Sequence, residues 1–467
     1  MTRSADLASN FRAPSEGDWR RLIEIPDGSL PHELTRESDD GIALGPIHAA
    51  ARAAMPQMRE TGAAWTIVQA IDDPDPARRL KQIAADVEGG AGGFSFILGG
   101  SAAAGRTGFG LAGDFRLPAD MLPQLAGLHL RLEGGFETHA FAAAFLDCPS
   151  ASSTFAFDPL AEAAADGGFA RLPGEIEQAI VETAQSLEAR DRRGAAAIGD
   201  GRIWAAAGAS EAQELAGILA SLAHYGRVLV EAGLPAAAAM RRLGIAVDAG
   251  PHALLSIAKL RAARLLHARF VEALGLDDLP ADIHAETSWR AMTRQEPHMN
   301  ILRASSAALA AGVGGADSVT VLPFTLAVGL PDASARRIAR NSQIVLLEES
   351  AMARVSDPGA GSGTIEAITQ ALAEKAWEIF RAIEAGGGLL AALRAGSFQR
   401  DIAAMRDGRA QKIAAGEAAI VGVTAFVARE ERKAEVLAKA PASPETPPMV
   451  ETIAAATPMR QAEPYET

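Results

Sequence analysis

From about residue 93 onward, short apolar runs alternate with longer Ala-rich segments, and this alternation restricts the folds open to the chain more than any other feature. Strands that alternate with helices are typical of parallel sheets, because a helix carries the chain back to start the next parallel strand. Eight units over about 260 residues match the number that a closed barrel needs. The pattern predicts an α/β fold of the (β/α)8 TIM-barrel class. The predicted strands lie at 94–98, 128–132, 143–148, 195–199, 242–247, 282–286, 318–323 and 353–357.

The segments on either side of this pattern differ from it in composition. Residues 1–60 are polar and interrupted by Pro and Gly, which predicts an N-terminal arm that lies on something larger. Residues 61–430 are predicted to form the barrel together with a C-terminal helical extension. Residues 431–467 are predicted to hold the end of a helix and a Pro-rich linker or tail, because 440–448 reads APASPETPP.

A glycine-rich loop at 312–315 invites comparison with a phosphate-binding loop. In a dinucleotide-binding fold such glycines follow a strand and open a helix, whose N-terminus then faces the pyrophosphate. Here a helical segment precedes the glycines and the strand-like run 318–323 follows them. We therefore expect a helix stop that leads into the seventh predicted strand, not a nucleotide site. A second glycine cluster at 356–363 is interpreted as a tight turn and helix N-cap rather than as an anion site.

Charge and cysteine content argue against several classes of function. The net charge of −14 disfavours nucleic-acid binding, which needs clustered Lys and Arg. Cys148 is the single cysteine, which excludes an internal disulfide and a Cys-based zinc site and fits a reducing compartment. No run reaches the roughly 18 apolar residues of a membrane span. We expect a cytoplasmic protein that binds neither nucleic acid nor membrane and that holds no metal.

One long stretch, residues 287–362 (from TSWRAMTRQEPHMN to SDPGAGS), resembles the adenosylcobalamin-dependent methylmalonyl-CoA mutase family, and most closely its small (beta) subunits. The resemblance implies a (β/α)8 barrel whose axis threads a CoA thioester, followed in the family by a linker and a flavodoxin-like cobalamin domain. It also implies isomerisation between methylmalonyl-CoA and succinyl-CoA in propionyl-CoA metabolism, with the cofactor supplying the radical. Shorter matches to the same family lie at 40–48, 157–168, 208–216, 258–268 and 420–426.

Two features of that family are missing from this sequence. The cobalt-ligating Asp-x-His-x-x-Gly motif does not occur, and the nearest string, 282–287, lacks the glycine and lies inside the predicted barrel. Active chains carry a Tyr-His pair just before the segment that matches 207–210, whereas residues 202–206 here read RIWAA. Ile and Ala cannot replace the hydrogen bonds of that pair. From these two departures we expect no flavodoxin-like cobalamin domain, no catalytic residue and no cofactor on this chain.

Two residues remain as candidate substrate contacts, on the strength of the resemblance. Arg242 matches the Arg of a family Arg-Leu-Ser segment, although Gly244 replaces the Ser. His284 matches the His of a family His-x-Gln pair. There Glu286 replaces the Gln and would add a negative charge beside a carboxylate substrate. Arg242 and His284 are thus predicted to be relict substrate-binding residues.

Other ionisable residues are given structural interpretations. Lys259, Arg261 and Arg264 lie on one predicted helix, and we expect them to form a solvated face rather than to bind CoA phosphates. The remaining residues, expected to pack or to lie at the surface, are His267, His298, Glu348, Glu349 and Asp357.

Three functions follow from these observations. The first is a small, non-catalytic subunit that pairs with a large mutase subunit in a heterodimer, where the large subunit holds adenosylcobalamin and this chain alone is inactive. The second is an acyl-CoA mutase barrel that acts with a separate cobalamin-binding protein. The third is a CoA-ester-binding regulatory module. The missing Tyr-His pair favours the first, and the sequence leaves open whether an acyl-CoA enters this barrel.

Overall fold

The computed structural model describes residues 15–23, 34–48, 55, 58–59, 62–112, 115–117, 121–277, 279–430, 432–440 and 448–466. Eight parallel strands form one sheet: β1 Thr66–Ile71, β2 Gly93–Ile97, β3 His129–Glu133, β4 Ser152–Phe155, β5 Ala197–Asp200, β6 Leu243–Ala249, β7 Ile283–Thr287 and β8 Ser318–Thr320. Their order in the sheet is β4-β3-β2-β1-β8-β7-β6-β5, which is the order of a (β/α)8 barrel cut between β4 and β5.

Backbone hydrogen bonds close the barrel between β4 and the chain that enters β5. The amide of Ser153 donates to the carbonyl of Arg193 at 2.9 Å, and the amide of Phe155 donates to the carbonyl of Ala195 at 2.8 Å. Gly194 lies between these two acceptors with a φ of +129°, a conformation that favours glycine. A Cβ at this position would lie 1.9 Å from the carbonyl oxygen of Ser153, so the seam needs a residue without a side chain.

Six of the eight predicted runs coincide with strands, and the predicted barrel is confirmed. The run 143–148 instead lies largely in the helix Ala142–Asp147, and 353–357 begins within the short 3-10 turn Met352–Arg354. The two strands that the pattern missed are β1 and β4. Strand β4 reads SSTF, and its hydroxyl residues do not make the apolar run on which the prediction depended.

The helices, with intervening 3-10 and π segments, cover the outside of the sheet. In chain order the α-helices of the described residues are α1 Glu16–Ile23, α2 Pro76–Glu88, α3 Ala102–Thr107, α4 Leu122–Leu125, α5 Ala142–Asp147, α6 Pro159–Asp166, α7 Pro173–Ala189, α8 Gly201–Ala207, α9 Glu211–Glu231, α10 Ala236–Arg241, α11 Ala253–Ala273, α12 Met299–Val313, α13 Ala333–Ile344, α14 Gly363–Ala385, α15 Leu389–Ala395 and α16 Ser397–Ala414. The other helical segments are Gly135–Phe141, Val345–Glu349, Met352–Arg354 and Glu463–Tyr465.

The main apolar core lies between the strands and the helices. On β3, Leu130 and Leu132 are fully buried in this outer core, whereas Arg131 and Glu133 point the other way. Successive side chains of a strand face opposite sides of a sheet, so the alternate residues of β3 line the lumen. Register pairing places Ser95 of β2 beside Arg131, on the same inner face. This part of the lumen is therefore polar and charged, whereas Ile198 and Ala246 contribute to a small apolar cluster on the inner face of β5 and β6.

The loop 312–315 is a helix stop, as the order of elements predicted. Helix α12 ends at Val313, Gly315 has a φ of +92°, and the next strand begins at Ser318. That strand is β8, the last of the barrel and not the seventh, because the sequence pattern missed two strands and counted one helix in their place. Carbonyl oxygens of this loop accept from arginines, including Gly312 from Arg59 at 2.8 Å. Such a loop suits cations rather than phosphate.

Segments before and after the barrel lie against it. The hairpin formed by Arg36–Glu37 and Ala43–Leu44 reaches α9 through Asp40, whose Oδ2 accepts from the amide of Ala212 at 3.1 Å. Near the other end, Ala438–Lys439 pairs with Gly329–Leu330, and Glu451–Thr452 pairs with Gly168–Phe169. Much of the predicted arm, and residues 441–447 of the Pro-rich stretch, lie outside the described residues. No helix in the described part of the chain is long and apolar enough to cross a membrane.

Replacement of Gly194 tests the closure of the barrel. We expect Gly194→Ala to lower the free energy of unfolding by about 2–4 kcal/mol, because the methyl group meets the Ser153 carbonyl and the backbone is strained. Gly174→Ala is the matched control, since a Cβ there meets nothing within 4 Å. It should change stability by less than about 1 kcal/mol. Urea denaturation measures both, and equal effects would contradict the proposed closure.

Asp40 gives the arm contact a pH dependence. Burial raises the pKa of Asp40 from 3.8 to about 6, against the hydrogen bond from Ser210. A carboxyl group with a raised pKa stabilises the fold below pH 3.8 and loses that contribution as the pH rises through 6. Relative to Asp40→Asn, which cannot ionise, the wild type should therefore lose about 1–2 kcal/mol between these pH values. Denaturation at several pH values gives the difference, and parallel curves would refute the expectation.

Candidate functional site

The functional end of a TIM barrel lies at the C-terminal ends of its strands, and here that end of the lumen is filled by charged side chains. We call the five residues Arg106, Glu133, Asp200, Arg202 and Glu286 the Arg202 cluster. Their side chains are only 2 to 7 % exposed. Glu133, Asp200 and Glu286 come from the ends of β3, β5 and β7, and the two arginines come from α3 and α8.

Arg202 is the centre of the cluster because its guanidinium contacts all three carboxylates. Its Nη2 and Nε donate to the two oxygens of Asp200, at 2.6 and 2.9 Å. Its Nη1 donates to Glu133 at 3.1 Å and to Glu286 at 3.2 Å. Arg202 reaches the axis because Asp200 caps the N-terminus of α8, where its Oδ1 accepts from the Arg202 amide at 3.0 Å.

Further hydrogen bonds satisfy the outer atoms of the cluster. Arg106 donates to Oε1 of Glu286 at 3.1 Å, and Ser95 donates to Oε1 of Glu133 at 2.7 Å. Behind Asp200, a carboxylate oxygen of Asp158 accepts from the Asp200 amide at 2.9 Å. The hydroxyl of Tyr225 donates to the other oxygen of Asp158 at 2.6 Å, so Tyr225 positions the cluster from outside the barrel.

The ionisation of the cluster follows from the balance of burial and charge. Burial raises the pKa of Glu133, but the charges of Arg202 and Arg131 overcome this effect and hold the pKa at about 2. Burial raises the pKa of Glu286, although Arg202 and Arg106 oppose the change. Glu133 is therefore ionised at neutral pH. Its Oε1 accepts from both Ser95 and Arg202, and its pKa of about 2 makes it a weak base for a proton from a substrate.

The positions where the resemblance implies a Tyr-His pair lie in α8 and contribute neither group. Trp204 is fully buried outside the lumen, with its ring 5.2 Å from that of Phe398. Tyr225 lies on α9, and the hydroxyl of Tyr465 donates to the carbonyl of Ala410 at 3.1 Å. The side chain that enters the lumen from this segment is Arg202.

The two predicted substrate-binding residues lie in different surroundings. Arg242 precedes β6, and its side chain donates to Glu188 at 2.6 Å and to the carbonyl of Arg192 at 2.7 Å. These contacts lie at the N-terminal end of the strands, away from the Arg202 cluster. His284 lies fully buried in β7, where its Nδ1 is 2.8 Å from Oγ of Ser318. The structure does not bring Arg242 and His284 together, and their binding role stays a prediction.

The expectation of a solvated cationic face on α11 is wrong. Lys259 is fully buried and lies 2.5 Å from Glu214, and Arg264 lies 2.9 Å from Asp317. Arg261 is also buried and forms ion pairs with Asp357 and with Glu366, the latter at 2.8 Å. Long charged side chains were expected at the surface, but each of these three meets a carboxylate from a neighbouring segment.

The same contacts explain the second glycine cluster. Asp357 and Glu366 bind Arg261 around the loop 356–363, so the loop is anchored by carboxylates and does not present a site for an anion. It leads into α14, as predicted, but it follows a 3-10 turn and not a strand.

The other ionisable residues have structural surroundings. His267 is buried on α11, and burial lowers its pKa to about 4. The ring of His298 lies 5.2 Å from that of Phe324, and Glu348 and Glu349 lie in an exposed π-helix. Among the described residues, no group of three His, Cys, Asp or Glu side chains is arranged to hold a metal ion.

The Arg202 cluster was not identified from the sequence. A signal was present, because HLRLE and IHAET place charged residues at alternate positions of short strands. In a barrel with an apolar outer core, such residues must face the lumen. The sequence around Arg202 shows no such alternation, because Arg202 lies in α8, directly after β5. Its side chain enters the lumen only because of the fold.

Comparison with known families matches residues 144–461 to the family described as methylmalonyl-CoA mutase. The methylmalonyl-CoA mutase small subunit of Streptomyces virginiae is 36% identical over 470 residues, which covers 94% of this chain and 74% of that protein. The small subunit of Propionibacterium freudenreichii subsp. shermanii is 43% identical over 49% of this chain and 36% of that protein. A probable small subunit of Mycobacterium tuberculosis (strain H37Rv) is 41% identical over 58% of this chain and 43% of that protein.

Removal of Arg202 tests what the cluster contributes. We expect Arg202→Met to lower the free energy of unfolding by about 3–5 kcal/mol at pH 7, because three carboxylates lose their shared cation inside the barrel. Without Arg202, burial raises the pKa of Glu133 and Glu286 with less opposition, so the deficit should shrink as the pH falls towards 5.

Arg190→Met is the matched control for this variant. Arg190 lies 3.6 Å from Asp147 at the surface, with side chains 43% and 72% exposed. Loss of such a pair should change stability by less than about 0.5 kcal/mol. Denaturation at pH 5 and pH 7 compares the two variants. A deficit for Arg202→Met that is small, or independent of pH, would show that the cluster does not depend on Arg202.

Proposed function

The chain belongs to the methylmalonyl-CoA mutase family, and we propose that it is the small, non-catalytic subunit of a heterodimeric, adenosylcobalamin-dependent mutase. The observation that carries this proposal is the Arg202 cluster. It occupies the lumen at the end of the barrel where catalysis takes place in TIM-barrel enzymes. The proposed complex interconverts methylmalonyl-CoA and succinyl-CoA in the cytoplasm, in propionyl-CoA metabolism.

The cluster argues against passage of an acyl-CoA along this axis. A thioester at the level of Glu133 and Glu286 would have to displace the guanidinium of Arg202. That displacement would leave buried carboxylates without their cation, which costs several kcal/mol. The substrate would gain little in exchange, because its own carboxylate would approach like charges. In a barrel without this cluster, an acyl-CoA would not have to break these ion pairs, and more of its binding energy would be available for catalysis.

The residues of this chain do not fit a cobalamin group. The one Asp-x-His string, Asp282 to His284, runs into β7, where His284 is fully buried against Ser318 and cannot reach a cobalt ion outside the barrel. The C-terminal face is also crossed by the last described segment. The amide of Met459 donates to the carbonyl of Ala206 at 2.9 Å, and the amide of Gln461 donates to that of Arg290 at 2.8 Å. In the proposal, the large subunit therefore holds adenosylcobalamin.

A partner subunit is supported by the names of the relatives. Three related proteins are named small subunits, which implies a larger subunit in the family. We assign to that larger subunit the reaction and the substrate, and to this chain a role in assembly and stability.

Co-expression with the large mutase subunit of the same organism tests the proposal. We expect an affinity tag on this chain to recover both subunits in equal amounts, and mutase activity to appear with adenosylcobalamin only when the large subunit is present. This chain with the cofactor should be inactive, since it lacks the catalytic pair and its lumen is filled. The measurement is the conversion of methylmalonyl-CoA to succinyl-CoA by each subunit and by the complex.

Two results would contradict the proposal. Turnover by this chain with adenosylcobalamin, alone or with a separate cobalamin-binding protein, would make it a catalytic barrel. Failure of the two subunits to co-purify, together with measurable binding of a CoA ester to this chain, would instead support a regulatory module.

A further inference from the structure

One cation in the lumen lies outside the Arg202 cluster. Arg131 is on β3, and its neighbours Leu130 and Leu132 face the outer core, so its side chain points into the barrel. It is 6% exposed. Its Nε and Nη2 are buried and have no hydrogen-bond partner among the described residues. A buried guanidinium in this state is costly, because the charged form has lost its hydration without receiving a partner.

The carboxylates nearby do not supply that partner. Glu133 is two residues further along the same face, but its oxygen accepts from Arg202 and Ser95. Burial lowers the pKa of Arg131 and the charge of Arg202 lowers it further, against the charges of Glu133, Asp282 and Asp200, none of which forms a hydrogen bond with Arg131 among the described residues. Among the described residues, the guanidinium of Arg131 is therefore a cation in the lumen whose Nε and Nη2 have no acceptor.

Two further polar groups face the same space with a free hydrogen-bonding atom. His284 and Thr320 lie on the neighbouring strands β7 and β8, and Glu286, which pairs in register with Thr320, already faces the lumen. Nε2 of His284 and Oγ1 of Thr320 are buried and have no partner among the described residues. Burial and the charges of Arg131 and Arg202 hold the pKa of His284 well below its usual value. The neutral ring suits a proton on Nε2, with Ser318 donating to Nδ1.

We propose that the lumen of this barrel binds a small anion, a carboxylate the size of formate or acetate or an inorganic oxyanion, on Arg131, His284 and Thr320. A guanidinium binds such an anion through a charge-assisted fork, and the imidazole N–H and the hydroxyl add two donors. The proposal depends on the barrel alone and not on the role of the chain in a mutase.

The space nearest to the site that opens to solvent lies at the N-terminal end of the barrel, and Glu88 and Glu348 are on its outer rim. A cavity of about 660 Å³ at that end is lined by Thr66 and His129, the first residues of β1 and β3. His129 is exposed and lies on the same face of β3 as Arg131, two residues before it. The Arg202 cluster closes the opposite end of the lumen. Arg131, His284 and Thr320 are themselves only 6%, 0% and 2% exposed, and this burial limits the ligand to a small anion.

The test uses the full 467-residue chain in a buffer whose bulky sulfonate salt holds the ionic strength constant. Formate, acetate and inorganic phosphate are titrated separately while Tm is measured. A ligand that binds only the folded chain raises Tm in a saturable way. Saturation with the carboxylates alone assigns the site to carboxylates, and saturation with phosphate as well assigns it to oxyanions in general. A second readout is the ring resonance of His284 in chain labelled with [15N]histidine, identified with His284→Asn.

Variants separate this site from general salt effects. Arg131→Met removes the charge at similar length and should weaken the apparent affinity roughly tenfold or more, and Thr320→Val should weaken it by a smaller factor. Arg241→Met, at an exposed position, is the control and should bind as the wild type does. If Arg131→Met does not fold, the His284 resonance of the wild type still shows whether the anion binds in the lumen. A Tm that depends linearly on all three salts, with an unchanged His284 resonance, would overturn the proposal.

Discussion

The guanidinium of Arg202 holds together three strands that do not neighbour one another. Its hydrogen bonds join β3, β5 and β7 across the lumen, at distances from 2.6 to 3.2 Å. Each of these charges is costly to bury alone, and each is acceptable only because the others are present. The cluster therefore restricts the whole C-terminal end of the barrel, since the strand ends that carry it cannot move independently.

The position of the apolar core makes such a cluster compatible with folding. The side chains that drive collapse, among them Phe94, Phe96 and Leu132, lie outside the sheet beneath the helices. Most hydrophobic burial lies outside the sheet, so the lumen can hold the charged Arg202 cluster beside a small apolar cluster around Ile198. A barrel of this design keeps its shape when the chemistry of its interior changes. This property would allow a member of a catalytic family to serve as a structural subunit.

The segments outside the barrel add to the closure of the same end. The amides of Met459 and Gln461 donate to carbonyls of helix α8 and of the loop that follows β7. Arg460 between them is fully buried, with its Nη1 2.7 Å from Glu466. The N-terminal hairpin reaches the start of α9 through Asp40, and Asp39 forms ion pairs with Arg409 and Lys412 of α16. These contacts link both flanks of the chain to the loops around the Arg202 cluster.

The sequence alone determined the class of fold, the place of the glycine loop and the family, because alternation, element order and long motifs are local properties of the chain. It misplaced strands where local properties mislead, as in the hydroxyl-rich β4 and the apolar helix Ala142–Asp147. Tertiary structure alone decided the surroundings of the charged residues. Residue type alone does not distinguish Arg202, Arg131 and Lys259 from the arginines and lysines at the surface. Whether each is buried, and which carboxylate it meets, depends on segments that are far apart in sequence and become neighbours only when the barrel closes.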